Sequence, residues 1–227
     1  MPDTTPNTEL LRSLGRVVRG LSAMFWGLPL ALIICVQTSE TQMLRAFTVV
    51  PPVVVTGWIW YGLWQLGHFQ KQERIWILAL ERAKILALVN VGLSPFLYWW
   101  SQRPDEVFYQ AVVGALAVSG LLFLSSLNLV LHRLTAMLPD ESLRQETRHF
   151  TTLNRFLLLG IMLLGIVIYL IARFPSVLAL PINVAILLGP GRLWLMVFLA
   201  LLPLAMTMAL LWKIKEVILD SIFGGGR

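Results

Sequence analysis

Apolar and polar stretches alternate along the chain, and six apolar runs stand out, at about 20–37, 47–67, 85–100, 107–131, 156–172 and 193–212. Each is close to the roughly 20 residues that an α-helix needs to cross about 30 Å of hydrocarbon. Backbone polar groups in lipid must be satisfied within the segment itself, so runs of this length span as helices. The pattern predicts an all-α integral membrane bundle of six transmembrane helices, arranged as three hairpins. These runs take up most of the 227 residues. One membrane domain, 1–227, is therefore expected, with no separate soluble domain.

Some polar connections are themselves patterned. After Pro139, Asp140 and Ser142 precede Gln145 with the spacing of a capping box, and Leu143, Thr147, Phe150 and Leu153 recur at helical intervals. Glu141 lies three and four residues before Arg144 and Gln145, where surface pairs form on a helix. The fifth helix is thus predicted to start near Asp140 and run on into the membrane. Ile75 to Lys84 reads in the same way as the start of the third helix, and Lys213 to Phe223 as an extension of the sixth that ends at Gly224. The last connection, 174–191, is apolar yet broken by Pro175, Pro181, Gly189, Pro190 and Gly191. It is expected to lie in the membrane interface or against a partner, with a re-entrant segment as the alternative.

Charge orients the bundle. Of the 18 Lys and Arg, only Arg45, Arg103, Arg173 and Arg192 fall on one side of the six runs, and the rest fall on the other. Cytoplasmic loops hold the excess of basic residues, so both termini are predicted to be cytoplasmic. The same placement accounts for the net charge of +6 through orientation and anionic lipid, with no need for nucleic acid. A mean hydropathy of +0.76 agrees. Tyr98, Trp99, Trp100, Phe108, Tyr109 and Trp194 are expected at the outer interface, and Trp64, Trp76 and Trp212 at the inner one. Trp58, Trp60 and Tyr61 fall deeper and are expected to pack between helices. The start of the chain is polar and lacks the order of a secretory signal, so the first run is taken as a true span.

The chemistry is sparse. None of the six runs carries an ionisable side chain near its centre, whereas proton and ion coupling needs such groups at membrane depth. Single Cys35 excludes an internal disulfide and a cysteine-built metal site. His68 and His132 end the second and fourth runs at similar depth, and His149 lies in the cytoplasmic helix. They read as interfacial residues rather than haem or metal ligands. Ser119-Gly120 lacks the preceding glycine and the base of an intramembrane serine protease. Asp105–Glu106 and Asp140–Glu141 fit a turn and a helix start. No catalytic residue, metal site or cofactor is predicted, and no cofactor-binding residue can be assigned.

What remains is a set of neutral polar residues at depth: Thr56, Gln65, Asn90, Ser94, Ser125, Ser126, Asn128 and Thr207. Such groups hydrogen-bond between membrane helices, or they line a solute path. Ala111, Ala115 and Ser119 form a small-residue stripe for close helix packing, within the chain or between protomers. Pro29, Pro95 and Pro203 interrupt three runs, as kinks of a plain bundle or as breaks at a binding site. The expected function is that of a structural or accessory subunit of a larger membrane complex, more in keeping with a non-enzyme than an enzyme. Its partners would be membrane lipid and other membrane subunits or further copies of itself. The alternative is a transporter or channel, or its membrane subunit, for a small solute, without proton coupling through buried charge.

Overall fold

A computed structural model describes residues 5–40, 47–69, 73–137, 141–173 and 191–223. Among these residues the chain is all-helical, with no strand. The helices are α1 (Thr5–Glu40), α2 (Val50–Leu66), α3 (Arg74–Leu93), α4 (Phe96–Gln102), α5 (Val107–Ala136), α6 (Glu141–Arg173) and α7 (Gly191–Phe223). Three of them hold segments long and apolar enough to cross a membrane: Arg12–Ser39, Val107–Ala136 and Arg144–Val167.

Local sequence accounts for several boundaries. Pro51 and Pro52 sit in the first turn of α2, where a missing N–H costs nothing. α6 is helical from Glu141, and α3 from Arg74, where the spacing of charged and apolar residues predicts helix rather than loop. The apolar run at 85–100 is not one straight helix. Ser94 and Pro95 form a turn that ends α3 and starts α4: both keep αR dihedrals, but the Pro95 ring has no N–H to donate to Val91 O, and Leu97 and Tyr98 bond back only three residues, to Ser94 O and Pro95 O. Ser94 Oγ donates to Val91 O (2.9 Å) across this break. α1, by contrast, keeps Pro29 inside one continuous helix of 36 residues. The connection 174–190 lies outside the described residues.

The packing closes a ring. α1 lies against α2, α2 against α3, α3 against α5, α5 against α6, α6 against α7, and α7 returns to α1. Short α4 bridges α1 and α5. At the end of the ring that carries Arg16, Arg19, Arg82, Arg133 and Lys213, the core is dense. Leu21, Met24, Leu63, Leu66, Leu127, Leu131, Leu134, Leu211, Ile214 and Ile218 are all fully buried there. Gly20 and Gly62 permit this. A Cβ on Gly20 would strike the Leu66 side chain and come within 2.7 Å of Gly62 O, and one on Gly62 would come within 2.9 Å of Met24 Cγ. The two glycines let α1 and α2 touch backbone to backbone.

Several polar contacts tie this basic end together. Glu146 of α6 pairs with Lys213 of α7. Arg144 donates to Ala136 O at the end of α5 (3.3 Å). Lys215 sits 5.2 Å over the Trp212 ring, which in turn packs on Phe25 of α1. Lys84 reaches over Gly67 at the end of α2, and burial pushes its amine below the usual value, with Glu81 pulling it partly back.

Two aromatic expectations are corrected. Trp76 is not an interface residue: it is 1% exposed, and its Nε1 donates to Phe69 O (3.2 Å), which pins the α2–α3 connection to the core. Trp58, Trp60 and Tyr61 do not pack between helices. Trp58 is 55% exposed, and Tyr61 and Trp64 continue the same outward face of α2. Core packing selects the opposite face of α2, through Val55, Ile59, Leu63 and Leu66.

Candidate functional site

The ring is not filled along its whole length. Towards the Arg103–Glu106 turn the helices leave an open cavity of about 390 Å³, within the roughly 300–1,000 Å³ range of small-molecule sites. Helices α1 to α5 and α7 contribute to its wall, with Leu32, Cys35, Thr56, Ala87, Asn90 and Trp100 among the lining residues. Small side chains make the space. Ala31 of α1 and Ala117 and Gly120 of α5 stand on its wall, whereas the basic ends of these two helices bury Leu21, Met24, Leu127, Leu131 and Leu134; α3 carries small Ala79, Ala83 and Ala87 along its whole inner face.

The wall is almost wholly uncharged. None of its described lining residues is Asp, Glu, Lys, Arg or His. Thr56 Oγ1 donates to Pro52 O (2.7 Å) and faces Ser94 Oγ at 3.4 Å, so that pair is internally satisfied. Asn90 and Trp100 are not. Asn90 Oδ1 and Trp100 Nε1 are buried without a hydrogen-bond partner, and so is Ser119 Oγ on facing α5. Buried polar atoms are nearly always paired, so two orphans on residues of one wall, with Ser119 close by but not lining it, are unusual.

A second polar group lies just below, among α5, α6 and α7. Asn128 Nδ2 and Asn154 Nδ2 both donate to Thr207 Oγ1, each at 3.0 Å, and Thr207 Oγ1 donates to Pro203 O (2.8 Å). Asn154 Nδ2 also approaches Pro203 O (3.3 Å) and Asn128 Nδ2 reaches Leu124 O (2.8 Å). All three side chains are buried. Asn128 and Thr207 thus bond between helices, one of the two roles that the sequence leaves open for them. Asn154 was missed, because it precedes the apolar run that starts at 156. The signal was present: Thr147, Thr151, Asn154 and Leu158 repeat at helical spacing, and they form the inward face of α6. Thr147 Oγ1, Thr151 Oγ1 and Asn154 Oδ1 are further buried atoms without a partner.

The remaining sequence candidates do not converge. His68 turns back on its own helix, with Nδ1 3.2 Å from Trp64 O and its ring against Trp64. Among the described residues, no group of three or more His, Cys, Asp or Glu is placed to hold a metal ion. Asp105 and Glu106 lie in the exposed turn before α5. Gln65 donates to Tyr61 Oη (2.5 Å) on the outer face. In the small-residue stripe, only Ser119 is buried, while Ala111 and Ala115 face outward. No family model matches this chain, and no curated protein or solved structure matches it.

Proposed function

We propose that this chain is a six-span membrane protein with both termini in the cytoplasm, built as three hairpins, and that it serves as a non-catalytic subunit of a larger membrane assembly. In this reading α3 and α4 together make one crossing, bent at Ser94-Pro95. α1, with 36 residues and about 54 Å of helical rise, extends beyond the hydrocarbon at its basic end. The cluster of Arg and Lys at that end supports the orientation.

One observation carries the assembly role. Small residues at helix crossings are of two kinds here. Gly20 and Gly62 are consumed by the α1–α2 contact. Ala111, Gly114 and Ala115 of α5 lie on an exposed face, and a Cβ on Gly114 would meet no described atom within 4 Å. A smooth helix face at membrane depth favours close approach by another helix, and this one has no such neighbour among the described residues. Purification in a mild detergent, followed by native mass measurement, tests the proposal. The expected product is a defined oligomer or a stoichiometric complex that Ala115→Trp weakens. A monodisperse monomer, unaffected by that substitution, overturns it.

A transporter is the second reading, favoured by the cavity beside the proline in α7. Its wall offers little to a polar solute, and the Asn128 and Asn154 amides donate to the Thr207 hydroxyl rather than to an open path. Rapid solute-driven shrinkage and recovery of proteoliposomes would favour this reading over the first.

A further inference from the structure

One face of α1 carries cations at its basic end and bare apolar side chains above them. Arg12, Arg16, Arg19, Ala23, Trp26 and Leu30 follow one another at three- and four-residue steps. On a helix they share an arc of about 80°. None of the three arginines forms an ion pair among the described residues, and a guanidinium stays charged at any ordinary pH. Arg16 and Arg19 are surface neighbours, with Cβ atoms roughly 5–6 Å apart. Glu9, the nearest acid along the helix, lies a turn below Arg12 and seven residues before Arg16. Glu216 and Asp220 belong to α7, which meets α1 through Phe25, and Phe25 points about 120–180° away from Arg19 and Arg16 around the helix.

α2 supplies the adjoining surface. Gln65 Cβ stands 3.2 Å from where a Cβ on Gly20 would be, and Trp58 Cδ1 3.5 Å from one on Gly27. Gln65 therefore lies next to the arginine face, and Trp58 next to its apolar continuation. Trp26 is 63% exposed, Trp58 55% and Leu30 47%. With Glu40 at one boundary of about 30 Å of hydrocarbon, Gly20 marks the other, so Arg19 and Arg16 stand at the membrane surface and Trp26 and Leu30 within the bilayer. A phospholipid of net negative charge matches both parts. Its phosphate accepts charge-assisted hydrogen bonds from guanidinium groups, and its chains cover the aromatic surface. An acidic protein segment would satisfy the arginines and leave the tryptophans bare, while a zwitterionic head would bring a cation to three others.

We propose that this α1–α2 face is a binding site for an anionic phospholipid, with the phosphate held by Arg16 and Arg19 beside Gln65 and the acyl chains against Trp26, Leu30 and Trp58. Arg12, further out, adds attraction through the field rather than by contact. The site rests on the reading of α1 as a membrane span, and not on the assembly role, which uses the outward face of α5.

Native mass measurement of the purified full-length chain in detergent, titrated with dioleoylphosphatidylglycerol or dioleoylphosphatidylcholine, tests the inference through the first lipid bound. The anionic lipid should bind about tenfold more tightly, in keeping with two interfacial arginines acting on one net charge. Arg16→Gln together with Arg19→Gln should bring the ratio to within about twofold. Arg82→Gln together with Arg133→Gln removes the same charge from the same end of the ring but from α3 and α5, and should keep the preference. Millimolar inorganic phosphate should not displace the lipid. Equal binding of the two lipids by the unaltered chain overturns the proposal and leaves the arginines to an acidic protein partner. An equal loss in the two double variants also overturns it, since the preference then belongs to total charge, and displacement by phosphate does so by making the site one for a soluble anion. The lipid comparison on the unaltered chain does not depend on whether a variant folds. Alkaline extraction from the membrane separates the two readings: a chain that washes off overturns the span and the site together, whereas an embedded chain without lipid preference overturns the site alone.

Discussion

At its basic end, the ring of helices is solid: Leu63, Leu66, Leu131, Leu134, Leu211 and Ile214 meet with no surface left exposed. Towards the Arg103–Glu106 turn, the same helices leave about 390 Å³ between them. Both halves are built from apolar residues, so hydrophobicity does not separate them. Side-chain size does, together with where backbones may touch. The solid half has glycine at the α1–α2 crossing and large aliphatic residues around it, while the hollow half has alanine and glycine along its walls. Burial provides adhesion in the first half and space in the second. The half that is filled also carries the Glu146–Lys213 and Arg144–Ala136 links, whereas the half that is open carries the unpaired Asn90 and Trp100 atoms. Dense packing and open space are thereby divided along the axis of one bundle.

Substitutions in the two halves should differ in sign. The largest effect is expected for Gly20→Leu, which places atoms against Gly62 O and cannot be relieved by a side-chain rotation. A loss of about 3 kcal/mol or failure to fold is expected, whereas Gly57→Leu, with nothing within 4 Å of its Cβ, should be close to neutral. Thermal melting in detergent distinguishes them. Leu131→Ala in the solid half should cost about 2–5 kcal/mol, but Leu32→Ala on the cavity wall much less, because the space there is already unfilled. Comparable losses at the two positions would contradict the division. Thr207→Val removes the acceptor shared by Asn128 and Asn154 and should cost about 1–2 kcal/mol, read from chemical denaturation.

Gly120→Leu should raise stability by about 1 kcal/mol, since it fills space and replaces glycine in a helix interior. A destabilised Gly120→Leu would show the cavity to be tighter than its volume implies. The smallest change is expected for Glu146→Gln. The pair with Lys213 is about half exposed, so the loss should be within about 0.5 kcal/mol and should vanish in high salt.

The helical extensions were legible because helix leaves a local record. Glu141 with Arg144 and Gln145, and the apolar residues from Ile75 onward, repeat with the period of a helix whatever they pack against. Pro95 marked the α3–α4 break for an equally local reason, but Pro29 gave the same signal and left α1 continuous. The difference lies in the surroundings of each proline. Trp58, Trp60, Tyr61 and Trp76 were misplaced because depth along a helix does not say which way a side chain faces. Helix α2 is apolar on every side, so its sequence gives no preferred face. Asn154 was hidden by the polar residues around it, which read as a surface helix until Pro203 and Thr207 were placed opposite.

By itself the sequence determined that this chain folds as helices, where most of them start and stop, and that its basic residues are segregated. Each of these follows from the spacing of residue types along one strand of chain, through hydrogen bonds and side-chain periods that are local. Only the tertiary structure decided that α1 meets α7 to close the ring, that Gly20 and Gly62 form one crossing, and that Asn90 and Trp100 share a wall. Those facts depend on which faces of distant helices meet. A cavity is likewise a property of several segments at once, because it lies where none of them has an atom.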